Sequence, residues 1–327
     1  MDLHHQKGHR LSMIVVMGAT GAGKSYFINK LAGPGKQVTK EGDSLHSCTQ
    51  GCLPIPLKIG GTTILVIDTP GFDDAKRTDA EILTEIARIL VAQYKLGVEL
   101  KGIIYIHRIT DVRFKRSAAK TLNIFQRICG EGSLKNVLLT TSGWTDKDLD
   151  VCSRREGELI DDFWACMVDK GSRMSRFYGD HESATMIVSQ LLMKKPTVLK
   201  MQRELIDDGM ELKSTTAGAY LYDELELLKG EHQNMLVQLE RLKHAQAGPE
   251  GIKRIETRLD TEMRKLQQAR RQQTDLDRRV DDEVEEEVQR QSRRRNFLKV
   301  VPVMIPFLTF VLNVLFGLLG IQIGPSI

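Results

Sequence analysis

The stretch Gly18-Ala19-Thr20-Gly21-Ala22-Gly23-Lys24-Ser25 decides how this chain folds. It follows the apolar run 13–17 and precedes the amphipathic segment 26–31, so a strand, a glycine-rich loop and a helix start come in that order. This order is typical of a phosphate-binding P-loop, in which main-chain N–H groups and the positive end of a helix face the phosphates. The spacing predicts that Lys24 contacts the β- and γ-phosphates of a nucleoside triphosphate and that the Ser25 hydroxyl binds Mg²⁺.

The composition separates the chain into three parts. Residues 12–193 have the mixed pattern of a folded core, residues 200–296 are rich in charge, and residues 300–327 contain no charged side chain. The net charge of +4 is small and no aromatic residues are interleaved with a basic patch, which argues against nucleic acid as a partner. The five cysteines form no CxxC pair, so we expect reduced thiols in a cytoplasmic protein rather than a zinc site. The N-terminus lacks the apolar segment of a secretory signal.

Short apolar runs alternate with helical patterns up to about residue 195, which predicts a three-layer α/β P-loop domain like that of small GTPases. The predicted strands are 12–17, 53–59, 62–68, 102–107 and 136–141, with a short sixth strand near 176–178. The predicted helices are 24–32, 79–96, 115–129, 153–169 and 182–194. The Gly60-Gly61 pair predicts a hairpin, and therefore one antiparallel edge strand on a sheet that is otherwise parallel.

The third predicted strand ends in Asp68-Thr69-Pro70-Gly71, which is typical of a second phosphate element. A carboxylate at a strand end with a glycine three residues later predicts that Asp68 holds Mg²⁺ and that the Gly71 N–H contacts the γ-phosphate. We also assign Tyr26, which directly follows the P-loop, to the nucleotide site.

The loop between these two elements is rich in glycine and polar residues. A switch protein needs a hydroxyl here that completes the Mg²⁺ shell only in the triphosphate state. Thr49, within Ser47-Cys48-Thr49-Gln50-Gly51, is our choice for that ligand. Ser44 and Ser47 are the alternatives, and an ordinary loop hydroxyl is the plainer interpretation.

Together these motifs resemble those of septin- and GIMAP-related GTPases, and most closely those of G-domain proteins of filamentous fungi. The resemblance covers residues 12–194 and rests on 18–25, 47–51, 66–74, 103–109 and the late RREGEL…DDFW segment. It implies GTP as ligand and substrate, Mg²⁺ as cofactor, and nucleotide-dependent contact between two G domains.

Guanine recognition departs from the pattern of those relatives, because the chain has no Asn-Lys-x-Asp. Relatives have Thr-x-x-Asp after the fifth strand, whereas the run from Thr141 to Asp146 is two residues longer. We predict that Asp146 reads the base and that Trp144 stacks on it; the alternative is an exposed aspartate in a charged loop. Ser183, with the following alanine, fits the short loop that backs the base in such domains.

The catalytic residues are predicted from the same comparison. Lys24 and the Gly71 amide would stabilise charge on the γ-phosphate. Phe72 stands where small GTPases carry a water-positioning glutamine, and it cannot orient water by hydrogen bonding. We therefore predict slow hydrolysis, with Arg108 as a candidate for stabilising the transition state in cis or in trans and His107 beside it at a dimer contact. A surface ion pair for Arg108 is the alternative.

The charge-rich region carries a heptad seam of seven positions, Leu221, Leu225, Leu228, His232, Met235, Leu239 and Leu242. A break near 247–251 separates it from a weaker second seam, which fits either an antiparallel hairpin or an intermolecular coiled coil. We expect a homo-oligomer formed through the G domain or this coil. The predicted domains are a flexible N-terminus (1–11), a P-loop G domain (12–195), a helical coiled-coil extension (196–296) and a hydrophobic C-terminal segment (297–327).

The C-terminal segment follows the basic cluster 293–295 with about twenty apolar residues, the length that crosses a hydrocarbon core. We expect a membrane-associated tail with a transmembrane helix on a cytoplasmic protein. Pro302, Pro306 and Asn313 interrupt the segment, and the alternative is a helix that folds back onto the coil or the G domain.

Two functions from different classes remain at this point. The first is a Mg²⁺-dependent GTPase switch that acts through G-domain association and its tail. The second is a nucleotide-bound scaffold with negligible hydrolysis. An ATPase or nucleotide kinase is disfavoured, because the chain has a switch-type second phosphate element and lacks an arginine-rich lid.

Overall fold

A six-stranded sheet lies at the centre of the protein's computed structural model, which describes residues 11–40, 51–72, 74, 77–111, 114–145, 148–244, 249–295 and 305–319. The strands are β1 (Ser12–Gly18), β2 (Leu53–Ile59), β3 (Thr62–Asp68), β4 (Glu99–Arg108), β5 (Val137–Ser142) and β6 (Arg173–Arg176). Their order is β2-β3-β1-β4-β5-β6. Among these six described strands, only β2 is antiparallel to its neighbour, which confirms the predicted hairpin and the mixed sheet.

Helices cover both faces of the sheet. Those of the first part are α1 (Lys24–Ala32), α2 (Asp79–Lys95), α3 (Arg116–Cys129), α4 (Leu149–Glu158), α5 (Ala165–Asp169) and α6 (His181–Leu192). A π-helical turn, Leu159–Trp164, joins α4 to α5. The helices that follow are α7 (Lys200–Gln202), α8 (Thr216–His244), α9 (Pro249–Leu276), α10 (Val280–Arg295) and α11 (Ile305–Leu318).

The central strand β1 explains why this sequence forms two core layers. All seven of its residues are buried, because β3 and β4 flank it and helices cover it on both faces. Met13, Val15 and Met17 face one apolar layer, which includes α2 and α3. Ile14 and Val16 face the other layer, which includes α1 and α6. The alternation is that of a strand buried on both faces.

Three predicted boundaries are wrong by a few residues. β4 begins at Glu99 rather than 102, because its first residues pair with Ser12 and Met13 of β1. β6 spans Arg173–Arg176 rather than 176–178, in parallel register with β5. The helix predicted over 153–169 begins at Leu149 and contains the π-helical turn, which the apolar periodicity does not reveal.

Helices α8 and α9 form an antiparallel hairpin within one chain. His232 contacts Glu262 at 2.6 Å (Nδ1 to Oε2), and Lys243 contacts Glu256 at 2.8 Å (Nζ to Oε1). The residue number of the α9 partner falls as that of the α8 residue rises, so the two helices run in opposite directions. The predicted seam is buried at Leu221, Leu225 and Leu239. It is 37–56% exposed at the other three apolar positions, Leu228, Met235 and Leu242. The hairpin is therefore the alternative that this structure adopts.

The C-terminal helices pack on the α/β part of the protein. Arg88 of α2 pairs with Glu283 of α10 at 2.5 Å (Nη2 to Oε2), and Lys95 of α2 pairs with Asp281 of α10 at 2.7 Å (Nζ to Oδ1). The apolar helix α11 contacts α2, α10 and β2. Its three most buried side chains, Val311, Val314 and Leu315, have no exposed surface and join the core layer that contains α2.

The expected membrane-spanning helix is not found. Among the described residues, no helix combines the length and the apolar character needed to cross a lipid bilayer. The apolar helix α11 has 14 residues and folds back onto the protein, as the alternative interpretation expected.

Candidate functional site

The P-loop connects β1 to α1 at the carboxyl edge of the sheet. Gly23 is the N-cap of α1 with φ +91°, a left-handed conformation that favours glycine. It offers no side chain to the first N–H groups of the helix, and no acidic residue lies in the first turn. No carboxylate within the first turn of α1 therefore offsets the positive end of this helix, which suits an anionic ligand.

Lys24 is buried within this loop. Its side chain is 6% exposed, and Nζ donates to the carbonyl oxygens of Gly18 (3.1 Å) and Ala19 (2.9 Å). Burial lowers the pKa of Lys24 to about 8, opposed by the nearby carboxylates of Asp68 and Asp74. The ammonium is held by neutral carbonyls that phosphate oxygens can replace.

The predicted metal ligands Ser25 and Asp68 lie together. Ser25 Oγ donates to Asp68 Oδ2 at 2.7 Å, and the Asp68 carboxylate is 1% exposed at the end of β3. A hydroxyl beside a buried carboxylate fits Mg²⁺, which takes oxygen ligands and keeps several waters or phosphate oxygens. Within the described ranges no cluster of three or more His, Cys, Asp or Glu side chains offers a protein-only metal cage.

The segment after Asp68 packs directly on the P-loop. Thr20 N–H donates to the Phe72 carbonyl oxygen (3.3 Å), and Thr20 Oγ1 donates to the Gly71 carbonyl oxygen (3.3 Å). Ala19 and Phe72 also form an isolated parallel bridge. The Phe72 side chain is 2% exposed in the core, so it stabilises this contact and cannot itself position a water molecule.

Arg108 lies at the exposed end of β4. In the part of the chain that the structure describes, it forms no ion pair. His107 beside it is buried between Phe114 (ring centroids 5.5 Å apart) and Trp164 (6.1 Å), and burial lowers its pKa, opposed by Asp111. The His107 ring is thus packed inside the chain, and its place at a dimer contact stays a prediction.

The base side of the site differs from the prediction in two ways. Trp144 is 9% exposed, and the Arg176 guanidinium lies 4.3 Å from its ring centroid, so one face of the indole is already occupied. Ser183 lies in the first turn of α6 rather than in a loop, because Asp180 caps that helix through the Ser183 N–H. Ser183 Oγ accepts from the Tyr178 N–H (3.2 Å), which makes it a support of the loop before α6.

Two predicted ligands, Thr49 and Asp146, lie outside the described residues, as do the alternatives Ser44 and Ser47. Their roles stay predictions.

Sequence reasoning missed two connections at the site. Ser142 Oγ, at the end of β5, donates to the Ala22 carbonyl oxygen of the P-loop at 2.7 Å. Asn29 of α1 accepts from the N–H groups of Val38 and Thr39 (both 2.8 Å), which holds the chain after α1 against that helix. A short polar side chain after an apolar strand was the available signal for Ser142, but such residues are common in loops.

Comparison with known proteins gives a family match over the first part of the chain. Residues 12–151 match the model of the AIG1 family. GTP-binding protein A of Dictyostelium discoideum is 28% identical over 129 residues, which are 39% of this chain and 27% of that protein. The tRNA modification GTPase MnmE of Bartonella henselae is 34% identical over 92 residues, 26% of this chain and 20% of that protein. The chain thus spans about a quarter or less of these relatives' length.

Solved structures that match part of this chain include Toc33 from Arabidopsis thaliana in complex with Mg²⁺ and GMPPNP. Its TM-score is 0.44 and its sequence identity 19%, over 57% of this chain and 87% of that chain. The AIG1 match supports the GIMAP side of the predicted resemblance, while the narrower likeness to fungal proteins stays a prediction. Residues 12–151 are therefore similar to the AIG1 family, and in this chain a C-terminal helical region follows the α/β domain that contains them.

Proposed function

We propose that this chain is a GTP-binding switch that hydrolyses GTP slowly with Mg²⁺ and is activated by contact between two G domains. One observation carries the proposal: the buried Lys24 ammonium, the Ser25 hydroxyl and the Asp68 carboxylate converge at the P-loop. Two matched relatives carry GTP in their names, which supports guanine over adenine nucleotides. Asp146 is our candidate for reading the base.

In the proposed reaction each group has a defined task. The Lys24 ammonium exchanges two carbonyl oxygens for β- and γ-phosphate oxygens, and its low exposure strengthens that attraction. Ser25 and Asp68 would hold Mg²⁺, which when bound neutralises developing charge on the phosphate oxygens. The Gly71 amide and the N–H groups at the start of α1 stabilise the γ-phosphate during in-line attack by water.

We expect the rate of GTP hydrolysis to depend on protein concentration, because Arg108 is exposed beside the site and Phe72 cannot position water. An arginine supplied by a second G domain would raise the single-turnover rate about a thousandfold in a saturated dimer. Arg108→Ala should leave GTP affinity unchanged and remove the concentration dependence. Arg116→Ala, at the start of α3, is the control and should hydrolyse like the wild type.

A concentration-dependent rate that survives Arg108→Ala would contradict the role of Arg108. A rate equal to that of buffer at every concentration would favour the second candidate, a nucleotide-bound scaffold. The specific observation in favour of the scaffold is the burial of Phe72 against the P-loop.

We further propose that the C-terminal segment binds the surface of a lipid bilayer when α10 and α11 leave α2. Three side chains of α11 are only partly buried: Phe310, Leu312 and Phe316. An apolar helix without charges is stabilised at a lipid interface, because its apolar side chains leave water. The predicted domain boundaries at 195/196 and 296/297 and the predicted cytoplasmic location are also part of this proposal.

Arg88→Glu should increase binding to phosphatidylcholine vesicles about fivefold, because it replaces an attraction to Glu283 with a repulsion and weakens docking by about 1 kcal/mol. Vesicle co-sedimentation of the full chain measures this. The charge-swapped pair Arg88→Glu/Glu283→Arg should return to the wild-type level. Lys170→Glu, which breaks a surface pair with Glu131, is the control. Unchanged binding of Arg88→Glu would refute release as the route to the membrane.

A further inference from the structure

An aromatic side chain at the base side of the site has no role in the function described so far. Tyr178 lies in the loop between β6 and α6 and is 55% exposed, although its neighbour Phe177 is buried. An exposed aromatic ring beside a ligand site is a common anchor for another planar ring, because stacking buries a large apolar area.

The loop that carries Tyr178 is held next to the P-loop helix. Tyr26 Oη, from the first turn of α1, donates to the Gly179 carbonyl oxygen at 3.1 Å. The rings of Phe27 and Phe177 pack edge to face with centroids 5.0 Å apart. The other neighbouring loop, after β5, is tied to the P-loop by the Ser142–Ala22 hydrogen bond. Both loops therefore lie beside the P-loop at the carboxyl edge of the sheet, where ligands of parallel sheets bind.

The side chains beside Tyr178 hold one another in place through hydrogen bonds and a stacking contact. Glu156, 8% exposed, accepts from Thr141 Oγ1 (3.0 Å) and from Arg176 Nε (2.8 Å). The Arg176 guanidinium stacks on Trp144, whose Nε1 donates back to Thr141 Oγ1 at 3.0 Å. Trp144 is thus engaged on one face and at its N–H, and it is largely buried.

Tyr178 stands at the edge of this set. Its ring centroid is 6.4 Å from that of Trp144, and its backbone N–H is held by Ser183 Oγ. The backbone is fixed while the ring keeps most of its surface in solvent. Such a preorganised ring loses little conformational entropy when a ligand stacks on it.

We propose that the ring of Tyr178, rather than the indole of Trp144, stacks on the purine ring of the bound nucleotide. The inference rests on the proposed function, because it presumes a nucleotide in the P-loop. Arg176 and Glu156 are positioning residues, because they hold in place the Trp144 side chain that lies beside this ring. The phosphate contacts made by Lys24 and Ser25 are separate from the stacking contact, and the two can be measured independently.

The test compares GTP with inorganic triphosphate, both with Mg²⁺, by calorimetry on the full chain. Tyr178→Ala should lower the affinity for GTP about tenfold or more, as expected for loss of one base–aromatic stack. It should leave the affinity for inorganic triphosphate unchanged, since that ligand has no base. Tyr178→Phe should bind GTP like the wild type. Met186→Ala, another exposed apolar residue just beyond this loop, is the control.

Three results would overturn the inference. Unchanged GTP binding by Tyr178→Ala would remove Tyr178 from the base site and leave the proposed function intact. An equal loss for GTP and inorganic triphosphate would show a general effect on the P-loop instead of stacking. If the wild-type chain bound neither ligand, the proposed function itself would fail, and the inference with it.

Discussion

Replacing Lys24 by alanine is expected to lower the affinity for GTP about a hundredfold or more. The lysine supplies the positive charge inside a buried loop, and loss of one partner from a desolvated charge pair costs about 3–5 kcal/mol. Calorimetric titration with GTP and with ATP measures the effect. The wild type should take up GTP more tightly than ATP, and Lys24→Ala should take up neither to a measurable extent.

The fold should survive this substitution. Lys24 carries a desolvated ammonium whose pKa burial lowers to about 8, so its removal relieves a cost while it frees two carbonyl oxygens. We expect the melting temperature of the nucleotide-free chain to change by only a few degrees. Lys36→Ala, an exposed lysine just after α1, is the matched control and should bind GTP normally. Wild-type GTP affinity in Lys24→Ala would refute the P-loop assignment.

The parts of the fold that the sequence predicts well are those set by local patterns. The P-loop follows from a strand, a glycine-rich turn and a helix start within fifteen residues of sequence, 12–26. The pairing of Ser25 with Asp68 follows because β1 and β3 are adjacent parallel strands whose carboxyl ends meet at one edge. The hairpin between β2 and β3 follows from two glycines between apolar runs.

The parts that it does not predict depend on contacts between distant residues. Ser142 and Ala22 are 120 positions apart, and no local pattern indicates that they bond. The apolar helix α11 has the composition of a membrane segment, yet three of its side chains are buried in the core layer that contains α2. Composition reports how apolar a segment is and does not say whether protein or lipid covers it.

Ser183 was predicted to lie in a loop, but the structure places it in helix α6. The Ser-Ala pair matches a loop motif, but Asp180 three residues earlier caps α6 and draws both residues into the helix. The base-side loop is therefore 177–180, and Tyr178 within it was given no role by its sequence alone. An aspartate three residues before Ser183 was the available signal for a helix start.

The second large effect is expected for Gly71→Ala. A Cβ atom at this position would lie 2.3 Å from the Thr20 backbone nitrogen and 2.6 Å from Thr20 Cα. Backbone cannot move aside as a flexible side chain can, so the segment at 69–72 must shift away from the P-loop. The shift breaks both hydrogen bonds between this segment and Thr20 and disturbs the buried Phe72 ring. We expect a loss of about 1–3 kcal/mol in the free energy of unfolding.

Nucleotide binding by Gly71→Ala should show whether Gly71 contacts the γ-phosphate, which the loss of stability alone does not show. The Gly71 N–H is our proposed contact to the γ-phosphate, which GDP lacks, so Gly71→Ala should weaken GTP about tenfold and leave GDP nearly unchanged. Competition binding with the two nucleotides, alongside thermal melting, separates the effects. Gly132→Ala is the matched control, because no atom lies within 4 Å of a Cβ built there. If Gly71→Ala weakened GTP and GDP equally, the close approach of this segment to the P-loop would serve the fold alone and would not sense the third phosphate.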